Sequence, residues 1–157
     1  MSVDNLSSAP QILKRWKMHR NALVSLAERF PESSASWRPW DKGMSTLELL
    51  HHVAWTPDFF LSAIEGSEVK VPPVPATLAE MRSLLLELTQ AQEAKMGGYS
   101  DDDLKKEVTV KALNVTEPAV ELLHRIIGHE AHHKGQLILY ARMLNVEPPF
   151  YVDLGVK

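Results

Sequence analysis

Four stretches of this chain repeat apolar residues at helical spacing, and each is closed by proline, glycine or asparagine. That pattern leaves room for little besides a helix bundle. The first stretch spans about Pro10 to Phe30, with Ile12, Leu13, Trp16, Leu23, Leu26, Ala27 and Phe30 near one face. Pro10 suits a first helical turn, and Pro31 closes the segment. The linker PESSASWRPWDKG follows, and its Trp37 and Trp40 are expected to cover one end of the bundle. Ser45 or Thr46 starts the second helix, with Glu48 placed to complete a capping box on Ser45. That helix is expected to reach Ile64 and stop at Gly66, with a kink at Pro57. The run VKVPPVPA reads as an extended connector, after which Thr77 caps a third helix that ends near Lys95, before Gly97-Gly98.

Between Tyr99 and Val115 the pattern weakens to one helical turn at Ser100–Asp103 and a short extended piece at Glu107–Val110. Thr116-Glu117-Pro118 then reads as a helix start, with the threonine as cap and the proline in the first turn. The last helix is expected to reach Leu144, with Asn145 as its stop, and the tail to pack Phe150 and Tyr151 onto the bundle. The expected fold is all-α, an up-and-down-type four-helix bundle forming one domain over residues 1–157.

Several function classes are disfavoured by composition. A net charge of −3, with Lys and Arg dispersed, offers neither a nucleic-acid footprint nor a polybasic membrane anchor. The chain contains no cysteine, so disulfides, thiolate metal ligands and a cysteine nucleophile are all excluded, and thiol chemistry would need an external thiol. MSVDNLSSAP lacks the pattern of a signal peptide, and no apolar run approaches the roughly 18 residues of a membrane span. A cytoplasmic location is the expectation.

The chemistry gathers on histidine. Five of the seven histidines fall in two clusters, His51-His52 and His129, His132, His133. A step of about 100° per residue sorts them. His129 and His133 share the stripe of Leu122, Ile126, Leu137, Tyr140 and Leu144, whereas His124 points away and His132 flanks the stripe. In the second helix His52 stands with Leu49, Thr56, Phe59 and Ala63, and His51 is expected to face outward among Glu48, Asp58 and Ser62. Two readings of the inward set stay open. Each imidazole can be a core residue with its own hydrogen-bond partner, or the three can share one divalent metal with an open fourth position. Neutral imidazole suits Zn, Ni, Cu and Fe(II), so ligand type leaves the metal undecided.

His129-Glu130-Ala131-His132-His133 also matches H-E-x-x-H, in which the glutamate of a zinc peptidase acts as general base. Lys134-Gly135-Gln136-Leu137 lacks the glycine and histidine of the longer peptidase motif, and only a short stretch follows. The competing roles for Glu130 are a helix-surface residue, an interhelical ion pair or a helper of the ligands. Gln136 could orient a ligand, hold water or bond across a helix seam. Gly135 allows close helix approach or room for a ligand. Trp16 and Trp55 are expected to be packing residues.

The block Ser45-Thr46-Leu47-Glu48-Leu49-Leu50-His51-His52-Val53-Ala54, and more firmly His129-Glu130-Ala131-His132-His133-Lys134-Gly135-Gln136, resemble the DinB/YfiT-like family of metalloenzymes, whose second motif often reads H-x-x-H-H-[RK]-G-Q. The resemblance covers nearly the whole chain. It implies a divalent metal on His52, His129 and His133, zinc or nickel first, with iron or manganese as further candidates. It also implies a homodimer and a metal-dependent S-transferase that activates a low-molecular-weight thiol, bacillithiol or mycothiol, toward a small-molecule electrophile. Glu130 and Gln136 are then candidate helpers. The alternatives are a non-catalytic stress-response protein with a structural metal, and a metal-dependent hydrolase.

Overall fold

The computed structural model describes residues 8–156, so the amino-terminal segment read for a signal peptide lies mostly outside the described residues. Four long helices make the bundle: α1 (Ala9–Arg29), α2 (Thr46–Glu65), α3 (Leu78–Gly97) and α5 (Ala119–Met143). Between α3 and α5 lie a one-turn helix α4 (Asp101–Lys105) and an antiparallel hairpin of β1 (Glu107–Val110) and β2 (Val115–Pro118). Capping chemistry explains these starts. Ser45, Thr77 and Ser100 each accept a bond from the backbone N–H three residues on, and Glu48, Glu80 and Asp103 return it to the cap. Gly66, at φ 70°, ends α2 in the left-handed region, and Ser67 N–H reaches back to the Ser62 carbonyl.

α1 and α2 occupy opposite corners of the bundle, each packed on both α3 and α5. The core has two apolar halves. Leu23, Leu26 and Phe30 meet Leu50, Leu78, Met81 and Leu137 at one end; Ile12 and Trp16 meet Leu61, Met96, Leu122 and Ile126 at the other. This sorting makes α1 and α5 run one way and α2 and α3 the other. The link from α2 to α3 must therefore travel the length of the bundle. Twenty helical residues span about 30 Å, and the dozen residues from Gly66 to Thr77 cover roughly 37 Å in polyproline geometry. The prolines suit that task.

Four expectations need correction. His51 is not outward-facing but buried at 6% exposure, because the crossing connector lies over it and the Pro72 carbonyl accepts a bond from its Nε2 at 2.8 Å. Thr116 does not cap the last helix; it belongs to β2, where its hydroxyl meets that of Thr109 at 2.9 Å, and the helix begins at Ala119. In the tail Phe150 and Tyr151 stay 64% and 57% exposed, and Val152 is the residue that packs. Trp40 is also exposed, leaving Trp37, edge-on to Tyr140, to cover that end. Helix α2 runs on through Pro57, and Trp16 is fully buried as expected. No helix among the described residues is long and apolar enough to cross a membrane.

Candidate metal centre

Between the two apolar halves, every helix changes character. α1 contributes Arg20 at this level, α3 contributes Thr89 and Gln92, and α5 contributes Glu130 and Lys134, all of them buried. The histidines occupy the outer side of the same polar waist, where α2 and α5 run antiparallel.

His52, on the second turn of α2, faces His129 and His133 on successive turns of α5, and one nitrogen from each ring lies within 4.8 Å of the other two. Nε2 of His52 and Nε2 of His129 are 2.9 Å apart. The ring centroids of His133 lie 4.3 Å from His129 and 4.8 Å from His52. His133 Nδ1 meets the Gln136 side-chain oxygen at 2.7 Å, so it carries the proton and leaves Nε2 as the free lone pair. Burial, then the neighbouring charges of His133, His52 and His132, pushes His129 down to about 3. Burial first, then His133 and His51, lowers His52 as well. Both rings are therefore neutral near pH 7, the form in which imidazole binds metals.

The buried Nδ1 of His129 has no hydrogen-bond partner among the described residues. Two rings in contact through one nitrogen each, one of them orphaned at the other, make a poor self-contained hydrogen-bond set. The donor set fits a divalent cation: three imidazoles from two helices could hold one metal ion and leave coordination positions open.

Around this triad the remaining candidates separate clearly. Gln136 touches His133, as the orienting role requires, and Trp55 stands edge-on to His52 with centroids 6.1 Å apart. His132 is exposed, its ring 4.8 Å from that of His133. Gly135 faces open space, so it is not a point of close helix approach. Glu130 turns away from the triad. Its carboxylate accepts two bonds from Arg20, at 2.5 and 2.9 Å, and both side chains are 0% exposed. The peptidase role for Glu130 is thereby contradicted, because a general base needs a lone pair aimed at the reacting group. The interhelical ion pair is the role the structure gives it.

Arg20 and Lys134 carried no functional reading from the sequence. Arg20 could have been noticed, since it stands in the same helical stripe as Trp16, Leu23 and Ala27. Lys134 is 2% exposed; its Nζ meets His19 Nδ1 at 2.8 Å and donates to the Tyr151 carbonyl of the tail. Burial pushes this amine down to about 8, against the opposing pull of Glu130.

A four-helix bundle with three histidines on its antiparallel seam defines a class, and comparison with known proteins gives it a family. The chain belongs to the DinB superfamily, whose model matches residues 15–137 and so takes in every member of the triad. YjoA of Bacillus subtilis, described as uncharacterized, is 30% identical over 149 residues, covering 90% of this chain and 94% of YjoA. Its crystal structure, a DinB-like protein, superposes with a TM-score of 0.78 at 26% identity, covering 92% of this chain and 99% of that one. A DinB-like protein of Bacillus cereus superposes with a TM-score of 0.81 at 18% identity, covering 91% and 97%. YfiT of Bacillus subtilis, at 15% identity and a TM-score of 0.69, covers 92% and 90%; it is described as a probable metal-dependent hydrolase with an unusual four-helix bundle topology.

Proposed function

We propose that His52, His129 and His133 hold one divalent metal, zinc or nickel before iron or manganese, and that the protein transfers a low-molecular-weight thiol such as bacillithiol or mycothiol to an electrophile. The carrying observation is the convergence of three ring nitrogens within 4.8 Å, with His52 and His129 held neutral, while Glu130 is consumed by Arg20. When bound, the ion would act as a Lewis acid and lower the pKa of a thiol that reached it. Gln136, by accepting from His133 Nδ1, would leave Nε2 as the atom available to the ion. His129 and His52, neutral near pH 7, need only present the right tautomer to serve as donors. A thiol is already acidic enough to ionise in such a site without a carboxylate base, which suits a site whose one adjacent glutamate is committed elsewhere. The cysteine-free chain agrees with an external thiol. Trp55, half-buried beside His52, is the wall against which a small substrate would lie.

A second reading, metal-dependent hydrolysis, is favoured by the fold shared with YfiT. The test is metal analysis of wild type, His129→Ala and His133→Ala, followed by turnover of a model electrophile with bacillithiol, mycothiol or glutathione. Metal lost in both variants and turnover that requires both metal and thiol support the transferase. Turnover of esters or amides without thiol supports the hydrolase, and equal, negligible metal in all three proteins returns the triad to core histidines. Metal that stabilises the fold without turnover would mark a structural site.

A further inference from the structure

We propose that Arg20 is the positioning residue of the triad, setting the separation of the α2 and α5 turns that carry the histidines. This inference rests on the metal-centre reading above. It begins with a fault in α2. Pro57 has no N–H, so the Val53 carbonyl, four residues earlier, loses its helical partner. One residue before, the Thr56 hydroxyl donates to the His52 carbonyl at 2.6 Å, a back-bond that bends helices. The turn bearing His52 is thus locally unlike a regular helix and needs outside support.

Arg20 supplies it from the opposite corner of the bundle. Nη2 donates to the freed Val53 carbonyl at 3.3 Å and to Glu130 at 2.9 Å; Nε donates to the other Glu130 oxygen; Nη1 donates to Gln92 at 2.8 Å and Thr89 at 3.1 Å. All five guanidinium N–H groups are used. Gln92 then donates to the Ala54 carbonyl at 2.8 Å, and Trp16 lies against the guanidinium with its centroid 4.8 Å from Cζ. In both helices the residue held by Arg20 immediately follows a member of the triad: Val53 after His52, Glu130 after His129. One planar, fully buried group therefore fixes how far apart those two turns stand. Lysine, with a single rotatable ammonium, cannot do this.

The experiment uses the full chain with Arg20→Met and Glu130→Leu combined, which removes both members of the ion pair so that neither is left buried without the other. Circular dichroism establishes folding, chelator competition gives Zn²⁺ affinity, and the visible spectrum of the Co²⁺-loaded protein reports ligand geometry. The expected result is a folded protein with Zn²⁺ affinity reduced about ten- to a hundredfold and an altered Co²⁺ spectrum. A folded double variant with wild-type affinity and spectrum would overturn the proposal. Should it fail to fold, Arg20→Lys, which keeps the charge opposite Glu130 but loses the planar fork, takes its place under the same criteria. If the wild type binds neither Zn²⁺ nor Co²⁺, the metal reading fails by itself. The positioning role is then decided on the metal-free protein by ¹⁵N NMR of the imidazoles: loss of the His52–His129 hydrogen bond in the variant supports it, and retention refutes it.

Discussion

Replacing Glu130 with alanine removes the counter-ion of a guanidinium that has no access to water. Arginine cannot escape by deprotonating, so the folded protein keeps a buried positive charge. Two of the five guanidinium N–H groups lose their acceptors as well, while those to Val53, Gln92 and Thr89 remain. Orphaning two buried donors costs about 2–6 kcal/mol, and breaking a buried ion pair from one side costs about 3–5 kcal/mol, so the two routes agree. For a chain of this length that corresponds to a fall in Tm of roughly 6–20 °C. Urea unfolding followed by circular dichroism, with Glu93→Ala as control, is the assay. Glu93 pairs with Lys17 at the surface, each side chain 38% exposed, and its loss should cost about 0–1 kcal/mol. The double variant Arg20→Met/Glu130→Leu should recover most of what Glu130→Ala loses. If Glu130→Ala costs no more than the surface control, the waist does not bear on stability as its burial demands, and the reasoning fails.

Other outcomes follow from the same geometry. Lys134 has a folded-state pKa of about 8 against an ordinary value near 10.5, so the unfolded chain binds more protons between those limits. Wild type should therefore gain stability relative to Lys134→Met as pH rises through that window, and parallel unfolding curves at pH 7.5 and 10 would contradict it. Asp103, capping α4 through the Ser100 N–H and paired with Lys106, sits at about 2, below its ordinary value. Its contribution is present above about pH 4 and lost as pH falls through 2, so the advantage of wild type over Asp103→Asn should vanish in that interval, as read by acid titration of the fold. Gln136→Ala frees the His133 tautomer and should weaken Zn²⁺ binding about tenfold, measured by chelator competition, with little change in Tm of the metal-free protein. Saturating Zn²⁺ at about 100 times its Kd should add about 2.7 kcal/mol to wild type and nothing to His129→Ala, a difference visible by thermal melting with and without chelator.

What the chain discloses before folding is what depends on near neighbours. Ser45 with Glu48, Thr77 with Glu80, and Gly66 are local devices, and α2 begins and ends, and α3 begins, where those residues place them. The choice of His129, His133 and His52 for the seam is likewise a matter of helical phase. His51 was misread because its cover arrives from the connector, and nothing within α2 announces a Pro72 carbonyl. Thr116 looked like a cap because its true partner, Thr109, lies across a hairpin whose first strand shows only four residues. Arg20 and Glu130 are 110 positions apart, so although helical phase puts Arg20 in the apolar stripe of α1, nothing near it in the chain names its partner. Phase predicts which way a side chain points; it cannot say what waits there.

The irregular turn of α2 also has an evolutionary consequence. Pro57 alone would strand a carbonyl, Arg20 alone would strand a charge, and Glu130 alone would strand its opposite. Loss of the arginine or of the glutamate alone passes through a less stable protein, whereas their joint replacement need not. The three positions behave as a ratchet: once assembled, a lineage is expected to keep them together or exchange them together. Related chains lacking the proline are where a different residue should stand in place of the arginine.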